Sequence, residues 1–331
     1  MITVAIDAMG GDYAPEQIVL GALEAAPLMS GHIILVGDPD RIARFIPGTG
    51  PANIGIQAAT QVIEMEDKPM EAIRKKKDSS ILVAVDLVKS GKAQAIVAAG
   101  NTGAATAAAL LGWRQIEGVH RPAIASTFPN KHGRFLLLDA GASPDVDPQD
   151  LVKFGIMGRT YAEAVMQRRN PKVHLLNIGE EPGKGNAFAK AAFEHLSGHS
   201  WFAGNIEGKD MFRKEVDVVV CDAFVGNIVL KTAEGVGEFV IDEIRQAVPE
   251  GIGKLAFWPM KRVMSPLKQK VDYAEYGGSP LLGLNGLCII AHGRSNAKAI
   301  KNAILTAAKA AENRLVDRIR EGIAAGEEKA K

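Results

Sequence analysis

Cysteine is scarce: two in 331 residues. Cys221 and Cys288 each lie at or near the end of an apolar run, so a disulfide framework is excluded and both are expected as buried small hydrophobes in a reducing compartment. Excess charge of one sign is missing as well. With 39 basic against 38 acidic residues the formal net charge is +1, which leaves no whole-protein field for drawing in nucleic acid or anionic lipid. Electrostatic recognition must be local. No apolar run is long enough to span a bilayer, and the opening "MITVAIDAMGG" starts on a strand-like run without a secretory leader. The expectation is a soluble cytoplasmic protein, with attachment to a membrane surface left open.

No internal repeat, low-complexity tract or Pro/Gly/Ser linker divides the chain, and its length is ample for a large core. One α/β unit over residues 1–331, of one or two lobes, is expected. Familiar chemical motifs fail in turn. "GEEPGKG" (179–185) resembles a Walker A loop but has three residues between its first two glycines where four are needed, and Gly185 follows Lys184 in place of Ser or Thr. "DAMGGD" (7–12) lacks the G-x-G-x-x-G spacing of a dinucleotide fingerprint, which weakens a nicotinamide reading. Histidines do not cluster, no cysteine sits in a C-x-x-C pair and no serine in a G-x-S-x-G elbow, so neither a metal site nor serine acylation is expected.

What is present is an alternation. Short runs rich in Val, Ile and Leu, at 2–7, 32–37, 93–99, 134–140, 172–179, 216–222 and 287–293, are separated by helical segments such as 15–27, 102–113, 149–168 and 228–247. Continuous apolar runs mean strands covered on both faces, the habit of parallel sheets. A three-layer α/β/α fold with a mostly parallel sheet follows. Polar, glycine-bearing turns end these strands: "DAMGGD" (7–12), "GNTGA" (100–104), "DAGAS" (139–143), "GEEPGKG" (179–185), "DAFVGN" (222–227) and "HGRSN" (292–296). At the carboxyl edge of an open parallel sheet such turns wall a ligand crevice, and free amides at helix starts suit a phosphate or oxyanion. One turn alone has a conformational explanation in its Gly and Asn; the recurrence points to a shared site.

Residues 251–270 differ from the rest: Lys254, Lys261, Arg262, Lys268 and Lys270 stand with no acid among Leu255, Phe257, Trp258, Met260, Val263 and Met264. Two readings stand, an interfacial membrane segment or a dimer contact with a solvated basic rim. A nucleic-acid partner is not expected, because no extended basic face is present.

Taken together, "IDAMGGD", "AGNTGA", "IGEEPGKG", "FAGNIEGKD", "DVVVCDAFVGNIVLK", "YGGSPLLGLNG" and "AHGRSNAKAIKNAI" resemble the bacterial phosphate acyltransferase (PlsX) family, from Ile6 to about Ile304. The resemblance implies a fold similar to isocitrate/isopropylmalate dehydrogenases and phosphotransacetylases. It implies transfer of a long-chain fatty acyl group from acyl carrier protein to inorganic phosphate, giving acyl phosphate for phospholipid synthesis without a cofactor. It also implies a homodimer on the inner face of the cell membrane, supplying a membrane glycerol-3-phosphate acyltransferase. Ala223 stands where the family usually has Gly, and Ser143 where it has Asn.

Lys184 and Asn227 are the catalytic candidates by this resemblance, the ammonium as a point charge for phosphate or the developing oxyanion and the amide as a second donor, with a solvated lysine and a helix N-cap as their plainer readings. Asp7, Gly10, Gly11, Asp12, Asn101, Thr102, Gly103, Ser143, Glu181, Gly226 and His292 are expected around phosphate and thioester. Asn101 and Thr102 would be side-chain donors, Gly10, Gly11 and Gly103 amide donors, and Asp7 and Asp12 would fix loop geometry or a lysine partner, since carboxylates repel phosphate. His292 is a candidate acid/base with a structural histidine as its alternative. Leu255, Phe257, Trp258, Lys261 and Arg262, on an amphipathic arm at about 240–272, are expected to touch membrane. The run Arg74–Lys77 and the 251–270 segment both offer positive charge to an acidic carrier protein. A dehydrogenase on the related fold, or a non-catalytic carrier or membrane-docking module, remain the alternatives.

Overall fold

The computed structural model describes residues 1–246 and 277–329. Leu255, Phe257, Trp258, Lys261 and Arg262, and most of the arm expected at about 240–272, lie outside the described residues. In chain order the elements are β1 (Thr3–Asp7), α1 (Glu16–Ala25), β2 (His32–Gly37), α2 (Pro39–Ala43), β3 (Ile54–Ala58), α3 (Pro69–Lys75), α4 (Ser80–Lys89), β4 (Ala95–Ala98) and α5 (Thr102–Trp113). Then come β5 (Ala123–Ile124), β6 (Ser126–Asn130), β7 (Gly133–Leu138), α6 (Asp150–Ala164), β8 (Val173–Asn177), α7 (Ala187–Ser197), β9 (Phe202–Glu207) and α8 (Gly208–Met211). The chain continues through β10 (Val218–Val220), α9 (Ala223–Gln246), β11 (Ser279–Leu282), β12 (Leu287–Ile290), α10 (Ala297–Glu312) and α11 (Leu315–Lys329).

The α/β class and the largely parallel pairing are as expected, but the strands divide between two sheets. One is seven-stranded in the order β3-β2-β1-β4-β12-β11-β5, the other five-stranded in the order β6-β7-β10-β8-β9. Among the described strands only β11, antiparallel to β12 and β5, and β6, antiparallel to β7, break the parallel arrangement. The sheets join where the chain passes from β5 through Ala125 into β6; Ala125 N–H donates to Pro280 O at 3.0 Å. β4, β10 and β12 are buried at every residue, which is why their sequences "AIVA", "VVV" and "LCII" show no polar alternation.

Helix α10 shows how the layers lock. Ala299/Ile300, Ala303/Ile304 and Ala307/Ala308 are buried at a spacing of four, so one face of the helix is apolar for its whole length. Asn296 caps it by accepting from Ala299 N–H at 3.0 Å. Full burial of Ile300 and Ile304 contributes about 1.5–3 kcal/mol each. The face meets α1 at Gly21, where a Cβ would lie 2.6 Å from Ile300 Cβ; Gly21→Leu would separate the two helices. Cys221 and Cys288 are both buried, and burial pushes the Cys288 thiol up to about 12. No helix among the described residues is long and apolar enough to cross a membrane.

Candidate active site

Three adjacent strands of the larger sheet, β1, β4 and β12, end in the turns 7–12, 99–104 and 291–296, and these turns touch. Asp7 sits at the end of β1 and its Oδ1 accepts the amides of Met9 and Gly10, both at 3.1 Å. Burial pushes its carboxyl above the ordinary aspartate value, against hydrogen bonds from Ser80 and those two amides. The next turn presses so close that a Cβ on Gly10 would lie 3.0 Å from Gly100 Cα. The third is tied in by Asp12 N–H, which donates to Gly293 O at 2.9 Å.

The smaller sheet repeats the arrangement. Its adjacent parallel strands β7, β10 and β8 end in the turns 139–143, 221–227 and 178–186. Asp139, fully buried, accepts from Ile124, Gly141 and Ala142 N–H through Oδ1 and from Ser143 N–H through Oδ2, at 2.9–3.0 Å. Burial raises its carboxyl above the ordinary value and the four amides oppose that rise. Because Ile124 belongs to β5, this one carboxylate also fastens the turn to the other sheet. Gly226 lies against the same turn: a Cβ there would be 1.9 Å from Asp139 O. Asn227 lies over Gly141, whose Cβ would be 3.4 Å from the asparagine's Cβ, Cγ and Oδ1.

The two groups of turns share a wall. Ala98 and Ile290 at the ends of β4 and β12, Ala104 and Ala105 of α5, and Ala140 belong to one buried cluster, with Ala142 and Leu230 packed on it. A cavity of about 640 Å³ is lined by His120, Arg121, Asp145, Asp147, Phe188 and Asp222 among others. A smaller one of about 160 Å³, lined by Thr106, Leu110, Gln115 and Ser143, shares Arg121, Pro144 and Asp145 with it.

Of the expected residues, several turn out to be occupied with holding the turns. Asn101 was expected as a donor; its Nδ2 is spent on Met65 O and Asp67 O at 2.9 and 3.0 Å, and its Oδ1 caps α5 through Ala104 N–H. Gly10 N–H is likewise taken by Asp7. Asp7 gathers the amides of its own turn, and Asp12 joins the neighbouring turn through its amide. Ser143 is buried, its hydroxyl donating to Pro122 O at 2.8 Å. Thr102 and Gly103 stand exposed at the start of α5, and His292 is exposed with Nδ1 accepting Arg294 N–H at 3.2 Å. In the Arg74–Lys77 run, Lys76 is not a solvated charge: it donates to Val62 O at 2.8 Å and pairs with Asp67.

Asn227 behaves differently from the asparagines that open helices. Asn101, Asn186 and Asn296 each cap a helix, whereas Asn227 is the fifth residue of α9 and the turn before it is capped by Asp222, whose Oδ1 accepts Val225 N–H at 2.9 Å. The N-cap reading of Asn227 is therefore corrected to Asp222. Lys184 is half exposed, with Glu181 3.9 Å from its Nζ. Neither Lys184 nor Asn227 lines the larger cavity, but the turns that carry them leave neighbouring strands paired at Val220 and Leu175. Sequence reasoning missed Arg121 and Asp139. The recurrence of Asp-Ala at the ends of β1, β7 and β10, each Asp gathering the amides two to four residues on, was the available signal for Asp139. Arg121, in the connection before β5, carried none.

This architecture is that of the phosphotransacetylases: the EutD phosphotransacetylase from Staphylococcus aureus superposes with a TM-score of 0.62 at 15% identity, over 94% of each chain. The family described as "Fatty acid synthesis protein" matches residues 2–318. A phosphate acyltransferase of Desulfitobacterium hafniense (strain Y51) is 47% identical over 324 residues, 97% of both chains. One of Pelotomaculum thermopropionicum is 48% identical over 326 residues, 97% of this chain and 94% of that protein. The chain belongs to this family of phosphate acyltransferases and is an acyltransferase.

Proposed function

We propose that the chain moves a long-chain fatty acyl group from the thioester of acyl carrier protein to inorganic phosphate, with Lys184 and Asn227 at the reacting centre. The relatives' name supplies the acceptor, and the observation that carries the assignment is the placement of Asn227. It is an exposed amide that caps no helix, held over Gly141 after β10, the strand paired with the β8 strand that leads into the turn bearing Lys184.

A thioester already has a good leaving group, so the work is orientation and charge stabilisation. An oxygen of hydrogen phosphate adds to the thioester carbonyl carbon. The carbonyl oxygen takes up negative charge, met by the Lys184 ammonium and by Asn227 N–H. Collapse breaks the carbon–sulfur bond, the sulfur leaves as thiolate and takes the proton that phosphate loses, and acyl phosphate departs. Turns built on Asp7, Asp139 and Asp222 keep this frame rigid. In the same reading the product feeds phospholipid synthesis through a membrane glycerol-3-phosphate acyltransferase, and a homodimer works at the inner membrane surface with Leu255, Phe257, Trp258, Lys261 and Arg262 in the headgroup region. The test is to trap acyl phosphate with hydroxylamine while phosphate and acyl carrier protein thioester are varied. Hydroxamate should rise with phosphate and fall by about 100-fold in Lys184→Ala, a loss typical of one oxyanion-stabilising donor. Wild-type rates in that variant would remove Lys184 from the reacting centre.

A further inference from the structure

The motif "FAGNIEGKD" has no role in the chemistry above, yet two of its residues bear on Lys184. β9 pairs with β8 at Val173–Phe202 and again at Leu175–Asn205, so three steps along β9 match two along β8. The extra residue is a β-bulge, and Gly204 in it has φ +96°, a conformation that favours glycine. Bulges reverse which way the following side chains point. Here the residue that follows is Asn205, 6% exposed, whose Nδ2 donates to Glu181 O at 2.9 Å.

Glu181 O is not an arbitrary acceptor. It also receives Lys184 N–H at 3.1 Å, so the carbonyl that Asn205 holds is the one that closes the 181–184 turn. From the other side Asn177, the last residue of β8, donates Nδ2 to Lys184 O at 3.1 Å and accepts Ile178 N–H at 2.8 Å. The lysine stem crosses Gly179, where a Cβ would lie 2.9 Å from Lys184 Cγ and 3.3 Å from Cδ. The backbone on both sides of Lys184 is thus pinned to sheet residues, and its stem runs over a position where only a hydrogen leaves room.

We propose that Asn205 and Asn177 are positioning residues that seat Lys184, with Gly179 keeping the path of its side chain open; this rests on the reading of Lys184 as catalytic. The side chains of Asn205 and Asn177, and the missing side chain at Gly179, act through the lysine and not on substrate. Their loss should therefore lower turnover without weakening substrate affinity in proportion.

The test is steady-state acyl phosphate formation by the full chain, with phosphate and acyl carrier protein thioester varied, for Asn205→Ala, Asn177→Ala, Gly179→Ala, Lys184→Ala and the double variant Asn205→Ala/Lys184→Ala. Asn205→Ala should lower kcat by about 10- to 100-fold, the scale of a misplacement near 1 Å, with KM values within about threefold. In the Lys184→Ala background the same substitution should have no further effect, because non-additivity marks residues acting as a unit. If Asn205→Ala fails to fold, Gly179→Ala carries the test, with the same loss of kcat expected. A wild-type kcat in Asn205→Ala or Gly179→Ala, or an equal loss with and without Lys184, overturns the seat while leaving Lys184 itself in place. A wild-type kcat in Lys184→Ala overturns both.

Discussion

Gly226→Ala tests the packing on which the site depends. The added methyl carbon would fall 1.9 Å from Asp139 O and 2.9 Å from Asp139 C, with Cys221 Sγ at 3.1 Å. Relief of the carbonyl overlap needs a shift of about 1.5 Å to reach ordinary contact. The obstacle is backbone, and the residue that owns it is fixed by four amide hydrogen bonds to its own carboxylate, so the Asp139 turn cannot yield cheaply. The helix start must move instead, and Asn227 moves with it. Overpacking of this kind costs about 3 kcal/mol at the upper end of the usual range, which lowers the melting temperature by about 4 °C in a chain of this size. A displacement near 1 Å at Asn227 should cost about 100-fold in kcat. Both are read from a thermal melt by circular dichroism and from hydroxamate trapping well below the transition. Gly235→Ala, on the same helix with nothing within 4 Å of the added carbon, is the control: it should stabilise by about 0.5–1 kcal/mol and leave kcat unchanged. A Gly226→Ala protein with the melting point and turnover of wild type would refute the close approach between α9 and the Asp139 turn.

Other perturbations address separate parts of the account. Since burial raises the folded-state pKa of Asp139, its contribution is fully present below the unfolded value of about 4 and is lost as pH rises through the folded value. The stability of wild type relative to Asp139→Asn, from denaturant melts, should therefore fall as pH is raised over that window, and a relative stability that climbs instead contradicts the direction. Phe154→Ala, emptying one of the largest fully buried positions, should cost about 3–5 kcal/mol in the same melts; a cost under about 1 kcal/mol would mean the site collapses freely. Replacing Leu255 and Trp258 by charged residues should reduce sedimentation with anionic vesicles, and unaltered sedimentation would remove the segment's membrane role.

The parts of the fold readable in the sequence are those where burial erases polar alternation. "ITVAID", "HIILVG" and "VDVVVCD" read as short strands of continuous burial, and β1, β2 and β10 lie inside them. β3, "IGIQA", is an exposed edge strand and β9 is bulged at Gly204, so neither shows a clean apolar run. The division into two sheets was hidden for another reason. It depends on β5 being two residues long and on the Asp139–Ile124 hydrogen bond, a contact across 15 positions that no local pattern announces.

At the site, glycine and asparagine at strand ends were visible as a class, but their roles were not separable. Asn101, Asn296 and Asn227 look alike in sequence; two are caps and the third is not, because Asp222 takes the capping position one turn earlier. Asp139 was visible only as a turn residue. Its reach into the other sheet depends on where β7 ends relative to β5.

The central claim is tested most directly by incubating the purified full chain with a long-chain acyl carrier protein thioester and varying inorganic phosphate alone. Acyl phosphate and free carrier thiol should appear in equal amounts, both saturating with phosphate. Thiol release that ignores phosphate, with no acyl phosphate formed, would contradict the account.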